Sequence, residues 1–321
     1  MGQDVTGLHH VGHVVRDLDQ AMERYRRLGF TVAAPAYPVL PVTPGGPAQP
    51  FGVANTHVYF PRGFVELVAV IDDADRLPGD ARPIPLRVPD DKLPGLRAAV
   101  RATAANIVSF LRRFQGVHIM IVDTPDIDRV ADRLTADGVG HGGVHDIQRP
   151  VETPTGTRME PARYLEITDP RLPPGRVPEG RIGFAENTPA EAPRHRQQHA
   201  DHPNGATGLV ECVLCVADPA LPEWERRYEA YFGPARPGRT ARFDRAGVTV
   251  VTASALTDLL PGERPAVLPA FVAYAVAVRD LPIAEELLRD NGVPVVRTGP
   301  EDVFVPADAA LGVAIIFRQE R

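Results

Sequence analysis

The chain has 321 residues, a formal net charge of −6, 44% apolar residues and 24% charged residues. That is enough for two ordinary globular domains. The absence of a basic run argues against a nucleic-acid partner, and no run of about 18 apolar residues offers a membrane span.

In chain order, the first apolar run, Leu8-His9-His10-Val11-Gly12-His13-Val14-Val15, reads as a strand. A helix over 18–28 follows, with Asp17 as its capping residue and Gly29 as its stop. Short strands are expected over 30–33, 55–60 and 63–71, with Pro61-Arg62-Gly63 as a tight turn. The loop 37–50 holds five prolines and two glycines and reads as a surface flap. A Pro-rich loop then precedes a helix over 96–114. The unit restarts at Gly116 with Val117-His118-Ile119-Met120-Ile121-Val122, a helix over 125–137 and a last strand over 163–168.

A long Pro- and charge-rich stretch follows. The unit then recurs from Gly208, with a helix over 222–232 and a last strand over 247–252. It recurs again from Phe271, with a helix over 282–291 and a last strand over 312–317. The expected architecture is α+β: four βαβββ modules paired into two incomplete barrels. The expected domains are 1–170, a linker over 171–207, and 208–321.

Cys212 and Cys215 lie in an apolar strand and read as small core residues, not a metal pair. Lys92 is the only Lys; with abundant Ala, Pro and Val this suggests a GC-rich, bacterial coding bias. The chain begins without a basic-then-apolar leader, so the expected location is the cytoplasm.

Four residues stand out: His10, Glu66, His118 and Glu166. They form two His-then-Glu pairs on strands of the first two units. A carboxylate between Val65 and Leu67, or between Leu165 and Ile167, is costly to bury unless a cation offsets its desolvation. Two imidazoles and two carboxylates suit Zn, Fe, Mn, Co or Ni, so one divalent metal ion is the expected cofactor. Gly12, two residues beyond His10, would leave room for substrate. His57, Tyr164 and Met120 are candidate pocket residues. His9 and His13 face away from His10, His141 and His145 belong to a loop, and His195, His199 and His202 sit in the linker.

The runs around His10, Phe64-Val65-Glu66-Leu67 and Tyr164-Leu165-Glu166-Ile167 resemble the vicinal oxygen chelate superfamily, which includes glyoxalase I, fosfomycin-resistance proteins and extradiol ring-cleaving dioxygenases. The likeness is nearest to its glyoxalase-like bacterial members. This resemblance implies paired modules around one metal held by His10, Glu66, His118 and Glu166. It also implies a degenerate second half, where Glu211, Val250 or a neighbour, Val272 or Ala273, and Ile315 or Ala314 replace the ligands.

The resulting expectation is a metal-dependent lyase or isomerase of glyoxalase type, acting on a small substrate through Lewis-acid and enolate chemistry, with Glu66 or Glu166 as base. An Fe(II)-dependent extradiol-type dioxygenase and an antibiotic- or small-molecule-binding resistance protein are the alternatives. Either a monomer or a homodimer is compatible with four modules in one chain.

Overall fold

The computed structural model describes residues 4–71, 77–153, 156–187, 201–236 and 240–320. Their strands form two open sheets, of ten and seven strands.

The first module is β1 (Gly7–Val14), α1 (Leu18–Arg27), β2 (Ala36–Pro41), β3 (Ala48–Pro50), β4 (Val53–Tyr59) and β5 (Phe64–Val70). Then come β6 (Arg82–Pro85) and a 21-residue helix α2 (Leu93–Arg113). The second module is β7 (Gly116–Asp123), α3 (Ile127–Ala136), β8 (His141–Thr153), β9 (Gly156–Ile167) and β10 (Arg181–Asn187). The order across this sheet is β3-β2-β4-β5-β1-β7-β10-β9-β8, with β1 and β7 antiparallel at its centre.

The second sheet holds the remaining modules. They comprise β11 (Ala206–Val216), α4 (Leu221–Phe232), β12 (Ala241–Phe243), β13 (Val248–Thr252), α5 (Ala253–Leu259), β14 (Ala270–Val278), α6 (Leu281–Asp290), β15 (Val296–Arg297), β16 (Asp302–Val305) and β17 (Ala314–Gln319). Its order is β12-β13-β11-β14-β17-β16-β15, again with an antiparallel pair, β11 and β14, joining the modules.

The helices start where the sequence signals them. Asp17, Asp126 and Asp280 each accept a hydrogen bond from the backbone N–H three residues on, at 2.9, 3.0 and 3.1 Å. Gly29, Gly138 and Gly292 follow with positive φ, a conformation that costs glycine little.

One continuous core joins the two sheets, built from α1, α3, α4 and α6 and the sheet faces they cover. Tyr25 of α1 contacts the Tyr274 hydroxyl of β14 at 2.8 Å. Phe30 stacks on Phe317 at 5.8 Å, and Arg133 of α3 donates to the Ala230 and Tyr231 carbonyls at the end of α4.

Three sequence expectations change here. The expected strand 30–33 is irregular, and the expected flap 37–50 carries the β2–β3 hairpin. The expected linker 171–207 contributes β10, the strand parallel to β7. Glu166 therefore lies on β9, one strand farther from the module's centre than its place in the repeat implied.

Candidate functional site

Each open sheet has a second face, and each is covered by the helix in the connection between its paired modules. On the first sheet, Ile107 and Phe110 of α2 pack on Val14, Val68, Ile119, Ile121 and Ala185. On the second, Leu256 of α5 packs on Val213, Cys215, Val251, Ala273 and Ile316. The cysteines are both buried and free, as a core role requires. The metal ligands inferred from the sequence would have to meet on the face that α2 covers.

Strand register decides which of them can. Along β1 and β7, Leu8 pairs with Val122 and His10 with Ile121, so His9 is an extra residue in a β-bulge. Gly12 pairs with Ile119 and His13 with Val117, so His118 is the matching extra residue on β7. The structural counterpart of His118 is thus His9, and the counterpart of His10 is Ile119. Glu66 pairs with His57 on β4 and with Gly12 on β1. The same position on β10, opposite Ile121, is Gly183.

In the first module the polar side chains do gather. The Phe64 ring stacks on His10 at 4.5 Å and meets His9 and His57 edge-on at 5.1 and 5.2 Å. Tyr59 stacks on His57 at 5.0 Å. His9 and His10 bring their Nδ1 atoms to 2.7 Å, so one imidazole donates to the other. Asn55 donates to Glu66 Oε1 at 2.8 Å. His10, His57, Tyr59 and Glu66 are all partly open to solvent. The expectation that His9 faces away from His10 fails because the bulge reverses the alternation at that residue.

In the second module they do not. His118 is fully buried, stacked on Phe110 at 4.9 Å, with Nε2 bonded to the Phe114 carbonyl at 3.0 Å. Burial holds its imidazole neutral, with a pKa lowered to about 3. Arg181 on β10 donates Nε–H to Glu166 Oε1 at 2.6 Å. Met120 is turned into the main core by the bulge, where it is fully buried. Tyr164, opposite Ala185, stacks on His145 at 5.1 Å.

His10 lies opposite Ile121, three residues from His118, so roughly 10 Å of strand separates them. Three strand steps separate β1 from β9. Among the described residues no three His, Cys, Asp or Glu side chains converge in a metal-holding group. A guanidinium engages Glu166, while His118 is held by its Nε2 on the Phe114 carbonyl and keeps Nδ1 without a partner among the described residues. The residues present do not fit one shared four-ligand centre.

The other histidines have structural partners. His13 lies between the Tyr25 hydroxyl at 2.7 Å and the Leu311 carbonyl at 3.0 Å. His141 bonds Thr135 at 2.9 Å. His202 ties its segment to the Thr31 N–H and the Tyr59 carbonyl, while His195 and His199 lie outside the described residues. On the second sheet Glu211, in the place of His10, pairs with Arg318 at 2.7 Å, and Thr249 takes the register of Glu66.

Sequence reading missed Arg181, Phe64 and a buried carboxylate, Glu179. The alternation Arg181-Ile182-Gly183-Phe184-Ala185 was the available signal for β10, since Ile182 and Phe184 are the buried positions.

The family model described as a glyoxalase-like domain matches residues 8–232. No curated protein matches the chain. Among solved structures, a hypothetical protein from Staphylococcus aureus aligns with a TM-score of 0.58 at 10% identity, covering 98% of this chain and 99% of its own. A mutant of 4-hydroxymandelate synthase from Streptomyces coelicolor aligns at 0.53 and 14%, covering 98% and 93%. A xylose isomerase-like TIM barrel/4-hydroxyphenylpyruvate dioxygenase fusion protein aligns at 0.53 and 12%, covering 100% of this chain and 50% of its own. At these identities the likeness establishes the fold alone.

Proposed function

The chain belongs to the glyoxalase-like domain family of the vicinal oxygen chelate superfamily, and from that premise we propose that it binds a small molecule at the first module through His10, His57, Phe64, Tyr59 and Glu66. The observation that carries this reading is the partly open aromatic and carboxylate cluster on β1, β4 and β5. Its counterparts in the second module are Ile119 and Gly183. A flat ligand would stack against the imidazole and phenyl rings, and Glu66 would accept a hydrogen bond from it. The proposed role is a small-molecule-binding or sequestering protein.

A second reading, metal-dependent chemistry of the glyoxalase or ring-cleaving dioxygenase kind, is favoured by one feature: His10 and Glu66 keep the first module's half of a ligand set. A divalent metal there would supply Lewis acidity. His10 and Glu66 would hold it, and Glu166 would join only after leaving Arg181.

Elemental analysis of protein purified from cells supplied with Zn, Fe, Mn, Co and Ni separates the two. The binding reading expects metal well below one ion per chain, unchanged by Glu66→Gln. Stoichiometric metal that disappears in Glu66→Gln and His118→Ala would overturn it in favour of the metal enzyme.

A further inference from the structure

A cleft of about 450 Å³ opens at the seam between the two sheets, away from the first-module cluster. One wall is the end of α3 and β9, with Val139, Thr168, Pro170 and Arg171. The other is α4, with Arg227 and Tyr231. The α4 wall is held in place, because Arg133 donates to the Ala230 and Tyr231 carbonyls at 2.6 and 2.9 Å and pairs with Asp4 at 2.6 Å.

The cleft is lined by two arginines, Arg171 and Arg227, and two carboxylates, Asp169 and Glu223. Arg171 is used up by Asp169, with Nε–Oδ1 at 3.0 Å and Nη2–Oδ2 at 2.8 Å. Glu223 lies at the exposed first turn of α4. Arg227 is half-buried. Its Nε donates to the Tyr231 hydroxyl at 2.6 Å, and its guanidinium lies 5.1 Å from the Trp224 ring centre and 5.6 Å from that of Tyr231. Among the described residues no carboxylate lies within ion-pair distance of it.

Behind Arg227 lies Glu179, fully buried. Its Oε1 accepts from the Tyr228 hydroxyl at 3.2 Å, and its Oε2 has no partner among the described residues. Burial raises the pKa of this carboxyl against the pull of the Arg227 charge, and the carboxyl in turn favours the charged guanidinium, so Glu179 supports Arg227 from behind without occupying its Nη groups. A half-buried guanidinium with one edge committed, flat against aromatic rings, presents its two Nη groups as a fork that matches an oxyanion.

We propose that this seam cleft binds a small organic oxyanion, with its carboxylate or phosphate head on the Arg227 Nη groups and its apolar body against Tyr231, Val139 and Pro170. The volume suits a compact ligand at the small end of ordinary pockets. Junctions between halves of a chain are frequent places for such sites. The site requires both halves of the chain, since neither wall alone encloses a ligand. It is independent of the first-module cluster.

Calorimetric titration of the full chain with benzoate and, separately, with inorganic phosphate tests this. Saturable binding of either probe, weakened at least tenfold in Arg227→Gln, partly weakened in Arg227→Lys and unchanged in Glu66→Gln, supports the site. The probe that binds tighter names the head group. If Arg227→Gln does not fold, phenylglyoxal labelling of Arg227 in the wild-type chain replaces it: saturating probe must slow labelling of that peptide. Absence of saturable binding by both probes overturns the proposal. So does binding that is insensitive to Arg227, or labelling that the bound probe leaves unprotected. Binding lost in Glu66→Gln but retained in Arg227→Gln would move the ligand to the first-module cluster.

Discussion

Arg181 on β10 holds Glu166 on β9 through its Nε–H at 2.6 Å, and the pair sits where the second module would otherwise present a free carboxylate. The Glu166 side chain is 18% exposed and that of Arg181 33%, so water screens the pair only in part. A double-mutant cycle with Arg181→Ala and Glu166→Ala should therefore show a coupling of about 1–2 kcal/mol in urea unfolding. Strict additivity would mean that the two are not paired in solution and that Glu166 is available as a ligand.

His13 sets a pH limit on stability. It is buried between Tyr25 and Leu311, and burial lowers its pKa from the ordinary 6.5 to about 4. The native state thus releases a proton that the unfolded chain keeps between these values. The contribution of the neutral imidazole is complete above pH 6.5 and is lost as pH falls towards 4. The loss amounts to about 3 kcal/mol for this residue. Unfolding free energies at pH 7.5 and 4.5 should differ less in His13→Gln than in wild type. An equal difference in both would remove His13 as a source of acid sensitivity.

Gly12 marks the close approach of the two modules. A Cβ there would lie 2.7 Å from Ile119 Cβ and 2.8 Å from its Cδ1. The space expected beside His10 for a substrate is filled by Ile119. Gly12→Ala should destabilise by about 1–3 kcal/mol, with partial recovery when combined with Ile119→Ala. A thermal midpoint unchanged by Gly12→Ala would show that β1 and β7 are not packed at this register.

Phe110 anchors α2 to the sheet. Its ring stacks on His118 and lies 4.9 Å beneath the Arg176 guanidinium. Phe110→Ala should cost about 3–5 kcal/mol and accelerate hydrogen exchange along α2. A loss below about 1 kcal/mol would indicate that α2 is not docked, leaving the face of the first sheet open.

Much of the repeat was readable because it rests on local chemistry. Asp17, Asp126 and Asp280 announce their helices through caps, and Gly29, Gly138 and Gly292 end them. The site was less readable, for two reasons. Bulges at His9 and His118 add a residue to each central strand, and every side chain beyond an added residue changes face. Met120 therefore turned inward, and His9 joined His10. The strand β10 lay hidden in a Pro-rich stretch, so Glu166 was given the place in the module that Gly183 holds.

Local patterning, the alternation of apolar residues and the caps and stops of helices, determined by itself that this chain is built from repeated βαβββ-like units. Those signals act within a few residues and survive in any reading of the sequence. Whether His10, Glu66, His118 and Glu166 meet was decided only in three dimensions. Strand register, the cover provided by α2 and the charge of Arg181 all depend on residues far apart in the chain. Convergence of side chains is a property of those long-range pairings, which no spacing along the sequence encodes.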